Sequence, residues 1–460
     1  MKRFFYQLVM TVATVAAVSL FPVTAAYAGA SASQRDATHL TDSLMTIYEE
    51  APKAAYALGP NPGLDDYLTY AAYRSPALKA AFYQWQSLLE KSGYVGSLPD
   101  PMLSYGYYVQ PVETRVGPQN HRLSLRQTFP WFGTLGAKRD ATSETAWSAY
   151  EKFESHKLRL FYQVKAAYYD YYYLGRRLAI NKDNFELLTF WESVARAKYR
   201  VALTKQPDVI KAQVELGKLE DQIRSLEDEL KPAAARLRAV LNLPDSVGIP
   251  LPTEIHVEEV PIDRDSVLVI ALHRNPDLRS AARLIEKENA ERRVAGKSSL
   301  PDFTIGVDYI ATGSALNPLM EDSGKDAWVV SAGVCIPLWF GKNKARRQEA
   351  EALYRKAQYE YSDARNHLEA FTEKVVYDYN DALRKTRLYR DGLLPKAEQA
   401  LNSSYTAYEA GETDFLNVLD AQRQLLDFQL KYEEARSDLA LHRAQIEMIT
   451  GRELETSPGE

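Results

Sequence analysis

The chain has 460 residues, with 46% hydrophobic and 25% charged residues and a formal net charge of −5. These values exclude a disordered chain, exceed one ordinary compact core, and offer no basic surface for a nucleic-acid partner. Gly and Pro are scarce at 22 each, as a mostly helical chain requires, and the 30 tyrosines suit surfaces that are apolar at one end and wet at the other.

The first 28 residues read as a secretory signal. Lys2 and Arg3 form the positive start, Leu8 to Phe21 the apolar stretch, and Ala26-Tyr27-Ala28 the cleavage site. No later segment reaches the roughly 18 apolar residues of a membrane-spanning helix. Cys335 is the only cysteine, so no disulfide framework is expected, and no cysteine stands near the cleavage site to carry a lipid. Residues 29–63 read as a flexible lead-in.

Two repeats follow, over residues 64–251 and 252–451, with a short tail at 452–460. Leu64 to Tyr94 has a helical pattern broken at Ser75-Pro76, and the second repeat breaks at Asn275-Pro276. Pro99-Asp100-Pro101 and Leu300-Pro301-Asp302 stop these helices. Period-two segments come next, at about 103–110 and 122–129, and again at about 303–310 and 328–336. Leu103, Tyr105, Tyr107 and Val109 share one face, against Ser104, Gly106, Tyr108 and Gln110 on the other. The pattern fits barrel strands with apolar residues outward, and equally a soluble hairpin packed on helices. Trp131 and Phe132 end the first pair, and Trp339 and Phe340 the second, where an aromatic membrane girdle would lie. The segments Pro111 to His121 and Ala311 to Lys325 read as outward loops.

Long helices are expected over Ala137 to Val201 and Ala345 to Ala410, with Pro395 the only proline in either. At about 1.5 Å per residue each reaches about 100 Å. Their partners carry heptad seams. Val209, Ala212, Leu216, Leu219, Ile223, Leu226, Leu230, Ala233, Leu237 and Val240 step by threes and fours. Val418, Ala421, Leu425, Phe428, Tyr432, Ala435, Leu439, His442, Ile446 and Ile449 repeat them at an offset of 209. Pro232 predicts a kink or a junction inside the first seam. Four strands cannot close a barrel and one helical hairpin cannot bury both its sides, so both parts ask for further copies of the chain.

Together, the signal, the duplicated strand pair and the paired long helices resemble the TolC family of outer-membrane efflux channels, over about residues 64 to 451. The family's tip sequence, Val-Gly-Leu-x-x-x-Thr-Asp, is similar to Val201-Ala202-Leu203-Thr204-Lys205-Gln206-Pro207-Asp208 and to Ala410-Gly411-Glu412-Thr413-Asp414-Phe415-Leu416-Asn417-Val418-Leu419-Asp420. The resemblance implies a mainly helical fold: a homotrimer with a shared twelve-stranded transmembrane β-barrel and a periplasmic α-barrel of duplicated helical hairpins. It implies a passive exit duct in the outer membrane of a Gram-negative-type cell, in contact with outer-membrane lipid. A periplasmic adaptor and an inner-membrane pump would dock at the tips, Val201, Ala202, Leu203, Ala410, Gly411 and Glu412. The family's two inward carboxylates fall on Asn417 and Asp420, so one charged ring is lost. Its lock falls on Asp208, Tyr408 and Thr413, where threonine replaces the arginine and leaves at most a Tyr-to-carboxylate hydrogen bond. At the first tip Ala202 replaces glycine. Either the turn differs there or Pro207 supplies the stop.

No enzyme is expected. Nucleophile elbow, P-loop, dinucleotide loop and His-Glu-x-x-His are all lacking, no cofactor is implied, and the seven scattered histidines make no metal pair. The tyrosine run at Tyr168, Tyr169, Tyr171, Tyr172 and Tyr173 reads as packing at the helix surface and between protomers. A periplasmic coiled-coil adaptor or a structural scaffold is the alternative. It fits less well because each helical unit here carries its own strand pair.

Overall fold

The structure is a computed structural model, and it describes residues 58–59, 62–202, 204–317 and 319–451. The signal, most of the lead-in, the tip residue Leu203 and the tail at 452–460 lie outside the described residues.

The elements follow in chain order: α1 Leu64–Arg74, α2 Pro76–Val95, β1 Met102–Thr114, β2 Gly117–Phe129, α3 Thr134–Arg200 and α4 Gln206–Leu241. The second repeat gives α5 Arg264–Arg274, α6 Pro276–Lys297, β3 Asp302–Thr312, β4 Ala327–Cys335, α7 Phe340–Arg387, a π-turn at Leu388–Leu393, α8 Leu394–Ala410 and α9 Phe415–Thr450. The chain divides into two compact units. Among the described residues, one holds the sheet with 83–149 and 281–361, and the other holds 150–280, 362–451 and the described part of 58–82.

The paired helix breaks share one cause. A residue before proline is pushed out of the helical region, and Ser75 and Asn275 are extended at ψ 116 and 120. Proline then opens the next helix, where its missing N–H costs nothing. Each break residue also caps that helix: Ser75 Oγ accepts from the Leu78 N–H, and Asn275 Oδ1 accepts from that of Leu278.

The sheet unit is an antiparallel meander in the order β1-β2-β3-β4. β2 and β3 join the two repeats, with Leu125 opposite Val307 and Phe129 opposite Phe303. The outer edges of β1 and β4 have no strand beside them among the described residues. The first hairpin differs from the sequence expectation. The strands run through Pro111 and His121, and only Arg115 and Val116 separate them. Pro111 breaks the alternation without ending the strand, because the register shifts between Tyr107 and Val112 and admits it on an edge. Gly117 closes the turn at φ 130, and a Cβ there would strike the Gly313 carbonyl.

In the helical unit, α3, α4, α8 and α9 share a core. Leu188, Trp191 and Ala195 meet Val209, Ala212, Leu219, Leu401, Phe415, Val418 and Leu425. Pro232 does not interrupt α4; beyond it Leu237 stays on the expected seam, while Ala234 and Leu241 are buried one residue past it. Pro395 is met differently. The Leu394 N–H reaches the Tyr389 carbonyl, one residue further back than in an α-helix, so the chain passes the proline without breaking.

Candidate functional site: the exposed sheet face and the hairpin tips

The sheet turns its apolar side outward. Leu103, Tyr105, Tyr107, Val109, Ile305, Trp328, Val330 and Val334 are exposed, Val109 and Val330 at 85% and 76%. The opposite face is polar and more covered. Asp308 is 2% exposed, and Arg122 Nε donates to its Oδ1 at 3.1 Å. Gly306 lets Arg126 and Ser331 pass close by. A soluble hairpin would bury the first face and wet the second; lipid reverses the arrangement. Below the sheet, Phe132, Trp339 and Phe340 are exposed, at 70%, 75% and 78%. Trp131 is less so, with its ring stacked 5.7 Å from that of Phe303.

The tips belong to the helical unit. α3 ends in a turn at Ala202, which adopts φ 58, and α8 ends at Gly411 with φ 76. The first tip therefore keeps the left-handed turn and makes alanine adopt it, at a cost of about 1 kcal/mol. Val201, Ala202, Gly411 and Glu412 are exposed, as is Ala410.

The lock residues Asp208 and Tyr408 both lie beside Thr204. Asp208 sits in the first turn of α4 and its Oδ2 accepts from Thr204 Oγ1 at 2.7 Å. Tyr408 is buried at 4% exposure with its hydroxyl near Thr204 and Asp208, but it makes no well-formed hydrogen bond. Burial raises its pKa, and the Asp208 charge adds to the shift. What joins the tips is Lys198. Its Nζ donates to the Tyr408 carbonyl at 2.8 Å and the Glu409 carbonyl at 3.1 Å, and lies 4.4 Å from the Tyr408 ring centre. These are last-turn carbonyls of α8, where a cation is favoured. No motif pointed to Lys198.

Thr413 Oγ1 accepts from Asn417 Nδ2 at 2.5 Å, so these two are joined on one helix start. Asp420 is exposed but not free, since Arg423 Nη1 lies 3.0 Å from its Oδ1. The same arginine reaches Glu215 on α4 at 2.6 Å. That hydrogen bond from Arg423, aided by Lys218, holds the Glu215 carboxyl below its ordinary range against the opposing effect of burial. Between α3 and α9 lies a buried polar layer. Asn184 Nδ2 donates to Gln429 Oε1 at 3.0 Å, and Gln422 Nε2 donates to Asn184 Oδ1 at 2.9 Å. Sequence reasoning missed it, because isolated Asn and Gln carry no pattern.

The tyrosine run packs within the chain. Tyr168, Tyr169, Tyr171 and Tyr172 are buried, and Tyr172 donates to Glu433 Oε2 at 2.8 Å. Among the described residues no group of His, Cys, Asp and Glu is placed to hold a metal, and no helix is long and apolar enough to cross a membrane.

Residues 267–452 match the family described as outer membrane efflux protein. The match covers 186 of the 460 residues, in the second repeat. It is 23% identical over 328 residues to the pyoverdine export outer membrane protein OpmQ of Pseudomonas putida, covering 70% of this chain and 68% of that protein. It is 25% identical over 182 residues to the cobalt-zinc-cadmium resistance protein CzcC of Cupriavidus metallidurans, covering 39% and 41%. Among solved structures, the outer-membrane channel OprN matches with a TM-score of 0.70 at 18% identity, over 84% of this chain and 89% of that one. The outer membrane protein VceC of Vibrio cholerae matches with a TM-score of 0.69 at 18% identity, over 85% and 97%. These likenesses show the fold. The matched family and the shared fold are those of an outer membrane efflux channel.

Proposed function

We propose that three copies of this efflux protein complete one conduit, each giving four strands to a twelve-stranded barrel and its long helices to a periplasmic tube. The observation that carries this reading is the sheet: apolar side exposed, polar side covered, and edges at β1 and β4 with no strand beside them among the described residues. Unpaired backbone groups at membrane depth are costly, so an open four-stranded sheet needs neighbours. The tips, at Val201, Ala202, Leu203, Ala410, Gly411 and Glu412, receive a periplasmic adaptor and, through it, an inner-membrane pump. The channel is passive and the pump supplies the energy.

The entrance is narrowed by Asp420 and Asn417 and held by Asp208, Tyr408 and Thr413. A single carboxylate per chain, itself paired with Arg423, gives weaker cation block than two open carboxylate rings. Asp208→Ala is expected to increase antibiotic entry into cells. Unchanged entry and unchanged conductance would remove Asp208 from the gate.

The partner assignment is tested with a cysteine placed at Thr413 in a Cys335→Ser background, crosslinked in intact cells, with the captured proteins identified by mass spectrometry. Capture of an adaptor and a pump is expected. Capture of neighbouring subunits alone would support the trimer and sink the tripartite docking at this tip. The pyoverdine and metal-ion roles in the relatives' names suggest small-molecule or metal-ion cargo, with selectivity set by the pump.

A further inference from the structure

The start of α7 carries an unusual charge group. Lys342, Lys344, Arg346 and Arg347 fall within its first eight residues, all exposed, and its first turn holds no acidic residue. Among the described residues none of the four has a carboxylate in ion-pair range, whereas the next turns pair their charges. Arg355 meets Glu351 at 3.0 Å, Lys356 meets Glu360 at 3.3 Å, and Arg365 meets Glu369 at 2.9 Å. Cations at a helix start oppose its dipole, so the group does not serve the helix.

Its position supplies a reason. The exposed apolar surface of β4 continues without interruption through Val334, Ile336, Leu338, Trp339 and Phe340 into this turn. At about 1.5 Å per residue, the four cations lie within about 10 Å of Phe340. The polar layer on each side of a bilayer is about 5–7 Å deep, and lysine and arginine stems reach several ångströms toward it. The first repeat keeps only two of the four charges, with Lys138 and Arg139 where Arg346 and Arg347 stand. Thr134 and Gly136 stand where Lys342 and Lys344 stand, and Thr134 is buried.

We propose that Lys342, Lys344, Arg346 and Arg347 form a basic collar that binds the phosphate groups of anionic phospholipids in the leaflet bordering Trp339 and Phe340. The aromatic rings fix the depth of the chain, and the collar selects the headgroup beside it. The inference rests on the outer-membrane placement and adds a lipid preference to it.

The test uses the intact oligomer in lipid nanodiscs that mix phosphatidylglycerol with phosphatidylcholine, reading the lipids retained by native mass spectrometry. The wild-type protein is expected to retain the anionic lipid at least about fivefold over the zwitterionic one, with the preference falling as salt rises. Replacing all four cations by glutamine is expected to abolish the preference, while Lys356→Gln with Arg365→Gln, lower on the same helix, leaves it intact. A wild-type protein without preference, or a fourfold variant that keeps it, overturns the collar. So does a fourfold variant whose subunits separate in pure phosphatidylcholine, since the charges would then be paired with a neighbouring chain. If wild-type protein fails to enter any bilayer, the membrane placement itself fails instead.

Discussion

The sheet unit and the helical unit use the same residue types on opposite sides. On the sheet Val330 is 76% exposed and Asp308 is 2% exposed, while in the helical unit Phe415 is fully buried and Asp420 lies in the open. Neither arrangement is more hydrophobic than the other; each faces a different solvent. Lipid holds apolar side chains as readily as a core does, so a strand there needs polar partners only on its inner side. Water makes the helices bury their seams and scatter ion pairs outward, where each pair contributes little.

This contrast can be broken at several points. The largest effect is expected from Phe415→Ala, which empties a core site and should cost about 3–5 kcal/mol, read as a lowered thermal midpoint of the purified protein. A small change would mean that the tips are held by their neighbours instead. Next comes Val330→Arg, expected to cost about 2–4 kcal/mol and to block membrane assembly, scored by heat-resistant oligomer in outer-membrane fractions. Val269→Arg on α5, also at an exposed valine, should stay within about 0.5 kcal/mol. Equal effects at the two valines would deny the sheet its lipid.

Within the helical unit, Lys198→Met should loosen the second tip by about 1 kcal/mol, seen as faster hydrogen exchange at the Gly411 and Glu412 amides, with Lys198→Arg restoring protection. Exchange that is the same in all three proteins would leave the tips independent. The smallest effect concerns pH. The folded-state pKa of Glu215 is depressed, so its tie to Arg423 stabilises the fold above the ordinary glutamate range and is lost as pH falls through the lower folded value. Glu215→Gln should flatten that acid-side decline in thermal midpoint. An unaltered decline would assign it to other carboxylates.

Much of this was legible in the sequence because periodicity reports solvent. The heptad seams named the buried residues of α4 up to Pro232, and the alternation in β1 named its apolar face. The alternation could not say which solvent that face met; that required the covered Asp308 and Arg122 behind it. The strands outran the alternation at Pro111 because a register shift, invisible in one strand, depends on its partner. The tips were found by motif, but their fastening was not. Lys198 bonds to backbone carbonyls, and any sequence offers those, so no residue pair marks the contact. Ala202 posed a choice between two turns that alanine's own preferences could not settle, and it adopts the left-handed one.

The π-turn ahead of Pro395 also reconciles two lengths. The hairpin ends Gly133 and Gly341 stand 208 residues apart, whereas the tip residues Ala202 and Gly411 stand 209 apart. The second copy is therefore one residue longer between those landmarks, and the single widened turn at Leu388–Leu393 accommodates the difference. A whole extra residue would rotate everything beyond it by about 100° and turn the seam of α8 away from its neighbours. Taking up the difference in one local turn keeps the rest of the helix in register with its neighbours.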